Sequence, residues 1–182
     1  YALGYYGESS LSGRAINPIS PQFICGGSSS GSALSVYNKL CDFSIGTDTG
    51  GSARIPAVAC QLSALKLTSN SLPRGGTYFI DQRLDSFGLL TRELEDLEWL
   101  CTNILTSKNR SEKLNQQTEI LIPDPYDLKR CDNQIVKLFN DLSEEIKKRL
   151  STDIFRGQVG FEESLKIRKI LMADAFSNFV VV

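Results

Sequence analysis

Two glycine- and serine-rich stretches flank a single helix-and-strand unit, and that spacing constrains the fold more than any other feature of the chain. The first is Gly26-Gly27-Ser28-Ser29-Ser30-Gly31-Ser32-Ala33; the second is Gly46-Thr47-Asp48-Thr49-Gly50-Gly51-Ser52-Ala53-Arg54-Ile55-Pro56. Between them Ala33, Val36, Tyr37 and Leu40 fall at i, i+3, i+4 and i+7, which gives a helix over 34–40 one apolar face. Phe43-Ser44-Ile45 then reads as a short buried strand. A loop–helix–strand–loop path returns both serine stretches to one end of a sheet. Glycine at such a place lets backbone amides come close to a reacting oxygen.

The remaining segments extend this pattern. Residues 1–6 predict a short strand and 7–25 a turn-rich approach, because Asn17-Pro18 and Pro21 oppose helix. The serines ahead of the first helix are suited to cap it, leaving its N–H groups aimed back into the loop. Pro56 opens a short helix through Cys60, and 64–67 is a strand. Residues 68–88 read as loop around Pro73, Gly75 and Gly76. Thr91 is the expected cap of a helix whose core face is Leu94, Leu97, Cys101, Ile104 and Leu105. A polar excursion over 107–117 precedes a buried strand at 120–122 that Pro123 stops. Asp132 caps a longer helix with Ile135, Leu138, Phe139, Leu142 and Ile146 on its apolar side, and a last helix covers about 162–179. Strands alternating with helices predict an α/β fold, a mixed β-sheet core flanked by helices, as one domain over 1–182.

Composition removes several function classes. With 20 basic and 21 acidic side chains the net charge is −1, and no basic block points to direct nucleic-acid contact or to an anionic membrane. No apolar run approaches the roughly 20 residues of a membrane span. Five cysteines without a CxxC pair fit reduced thiols in a cytoplasmic compartment better than a disulfide framework or a zinc site. Cys25, beside the first loop, is the one placed to matter. The chain has no histidine, which excludes a Ser-His-Asp triad, a Cys-His pair and a His-ligated metal within these residues. A nucleophilic serine would need another base, and a lysine of lowered pKa is the natural substitute. A phosphate-binding loop lacks its lysine after Gly26 and after Gly46 alike.

The two loops, with Leu65-Lys66 behind them and Ser28 and Ser52 24 positions apart, closely resemble the signature of the amidase signature family. Asn17-Pro18 and Leu84-Asp85-Ser86-Phe87-Gly88 with Thr91-Arg92 resemble flanking segments of the same family. The resemblance implies an amidohydrolase that cleaves a carboxamide C–N bond through an acyl-enzyme. It makes Ser52 the nucleophile and Ser28, after a cis peptide bond from Gly27, the bridging serine. The N–H groups of Thr49, Gly50, Gly51 and Ser52 become the oxyanion hole, with no cofactor and no metal. Asp48 and Arg54 are expected to brace the loop, Lys66 to be structural, and Lys39 to extend into water.

The family's base is a lysine ahead of the first loop. The catalytic lysine is therefore expected outside this chain, and 1–182 is read as a partial amidase-signature domain, the central portion only. A small-molecule amide is the expected partner, with a homo-oligomer or a partner protein left open. Two other readings remain: a non-catalytic amidase-like binding protein, and a component of an amidotransferase complex, like the A component of glutamyl-tRNA amidotransferase.

Overall fold

A computed structural model of the chain describes residues 4–9, 11–105, 120–150 and 154–157, together with 164, 166, 167 and 171. Its contacts cluster into two compact units, residues 1–110 and 111–182.

The first unit is built on a three-stranded antiparallel sheet in the order β3-β5-β4, formed by β3 (Phe43–Asp48), β5 (Ser86–Thr91) and β4 (Ser63–Lys66). Ahead of it, β1 (Glu8–Ser9) and β2 (Gly13–Arg14) make a small hairpin. Helix α1 (Ser30–Tyr37) and helix α2 (Arg54–Ala59) each follow one of the serine loops, and α3 (Leu94–Ile104) follows β5.

The central strand, β5, begins in a stretch that the sequence reading placed in a loop. Ser-Phe-Gly-Leu-Leu-Thr neither alternates nor contains a β-branched residue before Thr91, so it has no period-two signature. It is a strand because both of its faces are covered. Leu90 packs with Ala33, Val36, Ala53, Ala57 and Cys60 in one core cluster, and Leu89 packs with Leu67, Leu97 and Leu100 in another. A strand covered on both faces reads as an apolar run and not as an alternation. Thr91, expected as a helix cap, ends this strand. Its hydroxyl donates to the Glu93 carbonyl at 2.7 Å, and Glu93 takes the N-cap position of α3 without a side-chain cap bond.

Other boundaries move for similar reasons. Residues 4–6 do not form a strand, and the first three residues lie outside the described ones. Leu40 lies beyond α1 and is exposed, and Leu94 is exposed at the start of α3. The Arg92 guanidinium donates to the Val36 and Cys41 carbonyls at 3.0 Å each, so the C-terminal end of α1 is closed by a side chain that follows β5.

A pair of facing glycines lets the two serine loops lie on the sheet. Gly46 and Gly88 are register partners across β3 and β5. A Cβ on Gly46 would sit 2.7 Å from the Ser29 hydroxyl oxygen, and one on Gly88 would collide with the Ala53 methyl. The loops thus rest on bare backbone.

In the second unit, β6 (Ile120–Pro123) pairs in parallel with β7 (Ile154–Gly157), which the sequence reading did not foresee. Leu121 is exposed, although 120–122 was expected to be buried. Between them runs α4 (Asn133–Leu150), capped as expected, with the Gln134 N–H donating to the Asp132 carboxylate at 2.8 Å. Ile135, Leu138 and Leu142 of its expected apolar side are exposed, while Ser143 is buried. The excursion over 107–117 and nearly all of the helix over 162–179 lie outside the described residues.

Replacing Gly88 by valine should lower the stability of the chain by about 1–3 kcal/mol, because the added side chain must displace Ala53. Urea unfolding followed by circular dichroism measures this, and a native midpoint for Gly88→Val would contradict the packing.

Candidate active site

The first serine loop is moored to the outer edge of β3 by its own hydroxyls. The Ser29 hydroxyl donates to the Thr47 carbonyl and accepts from the Thr47 N–H, both at 3.2 Å, so one side chain does what a neighbouring strand would do. Farther along the edge, the Ser32 hydroxyl donates to the Ile45 carbonyl and the Ser44 hydroxyl donates to the Ser32 carbonyl. Edge strands need such cover. Ser29 holds the N-cap position of α1 but makes no capping bond, since its hydroxyl is spent on Thr47. The peptide bond between Gly27 and Ser28 is cis. Upstream, the buried Asn17 amide donates to the carbonyls of Ile24 and Ala59, which pins the approach to this loop against the end of α2.

The second loop is wrapped around one carboxylate. Asp48, at the end of β3, is fully buried and accepts from the N–H groups of Gly51 (2.8 Å), Ala53 (3.3 Å) and Arg54 (3.3 Å). The Arg54 guanidinium completes the set with two bonds of 3.0 Å. Burial alone would raise the Asp48 pKa, but the Arg54 bonds, the Gly51 N–H and the nearby Lys66 charge together hold it well below the usual carboxylate range.

Lys66 enters from β4. Its ammonium donates to the Thr49 carbonyl at 3.2 Å and the Leu84 carbonyl at 2.8 Å, and lies 3.5 Å from the Asp48 carboxylate. Burial lowers its pKa, with Asp48 opposing that shift. The Thr49 hydroxyl donates to the buried Asp85 carboxylate at 2.5 Å. Asp85 also receives the N–H groups of Ile80 and Asp81. Sequence reasoning placed Asp85 only in a segment flanking the family signature and gave it no part in the site, because nothing local to it shows that it faces Thr49.

The two loops meet through the main chain: the Ser29 N–H donates to the Ser52 carbonyl at 2.9 Å. Ser28 and Ser52 are each partly buried, and neither hydroxyl has a hydrogen-bond partner among the described residues. Ser28 lines a cleft of about 390 Å³ together with Ser29, Ser32, Gly46, Thr47 and Phe87, whereas Ser52 lies outside that lining. Of the four amides expected to face an oxyanion, that of Gly51 is already engaged by Asp48, which leaves those of Thr49, Gly50 and Ser52. Lys39 is exposed just beyond α1, away from any such role.

Cys25 and Cys60 are both fully buried and hydrogen-bonded to each other. Burial raises the Cys25 thiol and pushes Cys60 up to about 11, the chemistry of packed thiols rather than nucleophiles. Among the described residues no cluster of three or more His, Cys, Asp or Glu could hold a metal ion.

The model of the Amidase family matches residues 1–130. The chain belongs to the amidase signature family. Similar members include the A component of the glutamyl-tRNA(Gln) amidotransferase of Methanocaldococcus jannaschii, 37% identical over 145 residues that cover 80% of this chain and 33% of that protein. Indoleacetamide hydrolase of Pseudomonas syringae pv. syringae is 35% identical over 136 residues, covering 75% of this chain and 28% of that enzyme. A crystal structure of an amidase superposes with a TM-score of 0.76 at 31% identity, over 94% of this chain and 39% of the other. The chain thus spans about a third of the length of the curated relatives it matches. The chain has the α/β fold of amidases, and no described helix is long and apolar enough to cross a membrane.

Asp48→Asn should cost about 3 kcal/mol, because it removes the charge that compensates Arg54 and Lys66 while part of the amide shell stays buried. The ordinary value of the Asp48 carboxyl is 3.8 and the folded value is lower. Its stabilisation is therefore complete above that ordinary value and drains away as the pH falls through the folded one. Unfolding midpoints measured between pH 7 and pH 2 should fall steeply at the acid end in the native chain and less so in Asp48→Asn. Parallel profiles would contradict the role given to Asp48.

Proposed function

We propose that this chain carries the nucleophile-bearing core of an amide hydrolase that cleaves a carboxamide C–N bond through an acyl-enzyme on Ser52. The observation that carries the reading is the Ser29 N–H to Ser52 carbonyl bond. It ties the two serine loops together while the Ser28 and Ser52 hydroxyls have no partner among the described residues.

In this reading the Ser52 hydroxyl oxygen attacks the substrate carbonyl carbon. Negative charge develops on the carbonyl oxygen, and the amides of Thr49, Gly50 and Ser52 receive it. Each such donor is worth on the order of 10²-fold in rate. The Ser52 proton passes by way of Ser28 to a lysine base outside these residues. The leaving nitrogen takes up a proton as the C–N bond breaks. Water then cleaves the ester, releases the carboxylic acid and restores Ser52. No cofactor or metal takes part. The five free cysteines suit a cytoplasmic setting.

The similarity to the A components of glutamyl-tRNA(Gln) amidotransferases favours a second reading, in which glutamine is the amide and the released ammonia serves a partner protein. The net charge of −1 argues against RNA contact through these residues in that case. A rise in glutaminase rate on adding the partner proteins and charged tRNA would select it over free-standing amide hydrolysis.

In the natural full-length protein, Ser52→Ala should abolish ammonia release from a panel of carboxamides that includes glutamine, by about 10³-fold or more. Ser28→Ala should lower it by about 10²-fold. Native turnover in Ser52→Ala would refute the assignment. A full-length protein that binds carboxamides without turning any of them over would instead be an amidase-like binding protein.

A further inference from the structure

We infer that Lys66 is a positioning residue that fixes the Thr49–Gly50 peptide so that the Gly50 N–H faces the substrate carbonyl oxygen, with Asp85 holding the Thr49 side chain. The inference rests on the amide-hydrolase reading above.

The argument begins with the peptide plane. The only cis bond among the described residues is Gly27–Ser28, so the Thr49–Gly50 peptide is trans, and its C=O and N–H point in opposite directions. Whatever holds the Thr49 carbonyl therefore aims the Gly50 N–H. The Lys66 ammonium holds that carbonyl at 3.2 Å. An ammonium has three donors and no acceptor, so it can pair with the carbonyl face of this peptide but not with the N–H face. A flipped peptide would lose its partner and would turn an N–H toward a cation.

The loop needs such a restraint. Gly50 and Gly51 stand in succession, and glycine admits both peptide orientations at little steric cost. Gly51 has its own anchor, the Asp48 carboxylate at 2.8 Å. The Gly50 amide has no partner among the described residues, so it is directed only through the preceding carbonyl. Asp85 adds the second restraint, taking the Thr49 hydroxyl at 2.5 Å while its other oxygen accepts the Ile80 N–H at 2.6 Å. Lys66 also donates to the Leu84 carbonyl at 2.8 Å, next to Asp85 in sequence, so both restraints are fastened to one segment.

The test uses the natural full-length protein and a fluorophosphonate probe, whose phosphoryl oxygen occupies the position of the substrate carbonyl oxygen. Labelling rates are measured against probe concentration, and the site is mapped by mass spectrometry. In Lys66→Met the maximal rate at Ser52 should fall at least about tenfold, while the half-saturating concentration stays within about twofold. Lys66→Arg, which restores a donor, should regain most of that loss. A lysine that merely supports the cleft would raise the half-saturating concentration as well. Thr49→Val removes only the bond to Asp85 and should slow the maximal rate about threefold, which keeps the inference testable if Lys66→Met does not fold. Native maximal rates in Lys66→Met, or in Thr49→Val where only that variant folds, overturn the positioning role and leave Ser52 as nucleophile. A native protein that is not labelled at Ser52 overturns both.

Discussion

The structure depends on one buried carboxylate. Asp48 ends β3 and gathers three successive parts of the second loop, the Gly51 amide, the Ala53 and Arg54 amides, and the Arg54 side chain. A carboxylate left alone in that position would be costly, because burial disfavours its charge. Surrounded by N–H groups and a guanidinium, it becomes a fixed centre about which the loop turns tightly into α2. The same anchoring consumes the Gly51 amide and leaves its neighbours uncommitted. Loop geometry and donor availability follow from the same set of bonds.

The glycines complement this centre from below. Gly46 and Gly88 remove side chains from the part of the sheet where Ser29 and Ala53 settle, so both loops approach the strands at backbone distance. Ser29 then bonds to β3 through its hydroxyl and to Ser52 through its amide. One residue joins helix α1, the sheet edge and the second loop, which is why the two serine stretches converge although each follows a different element.

Much of this was legible beforehand, and the exceptions share a cause. The two loops, the helix and strand between them and the Asp132 cap arise from short-range rules of capping, periodicity and turn chemistry, although Phe43 and Ile45 of that strand are exposed where burial was expected; the bracing role of Asp48 and Arg54 came with the family resemblance. What escaped was set by distant partners. Ser86–Thr91 is a central strand only because two apolar clusters cover it from opposite faces. Thr91 looked like a cap because nothing in its neighbours reveals that its backbone pairs with Phe43 and Ser63. Likewise Asp85 and Lys66 reach Thr49 across the sheet, at sequence separations of 36 and 17 that no local pattern encodes.

The central claim is that the Ser52 loop presents its free amides to an oxygen while Asp48 keeps the Gly51 amide for itself. A crystal structure of the full-length protein after reaction with a fluorophosphonate tests this most directly. The account predicts phosphorus bonded to the Ser52 oxygen, with the phosphoryl oxygen within hydrogen-bond distance of the Gly50 and Ser52 amides and Gly51 still paired with Asp48. An adduct on another residue, or a phosphoryl oxygen turned away from this loop into solvent, would contradict it.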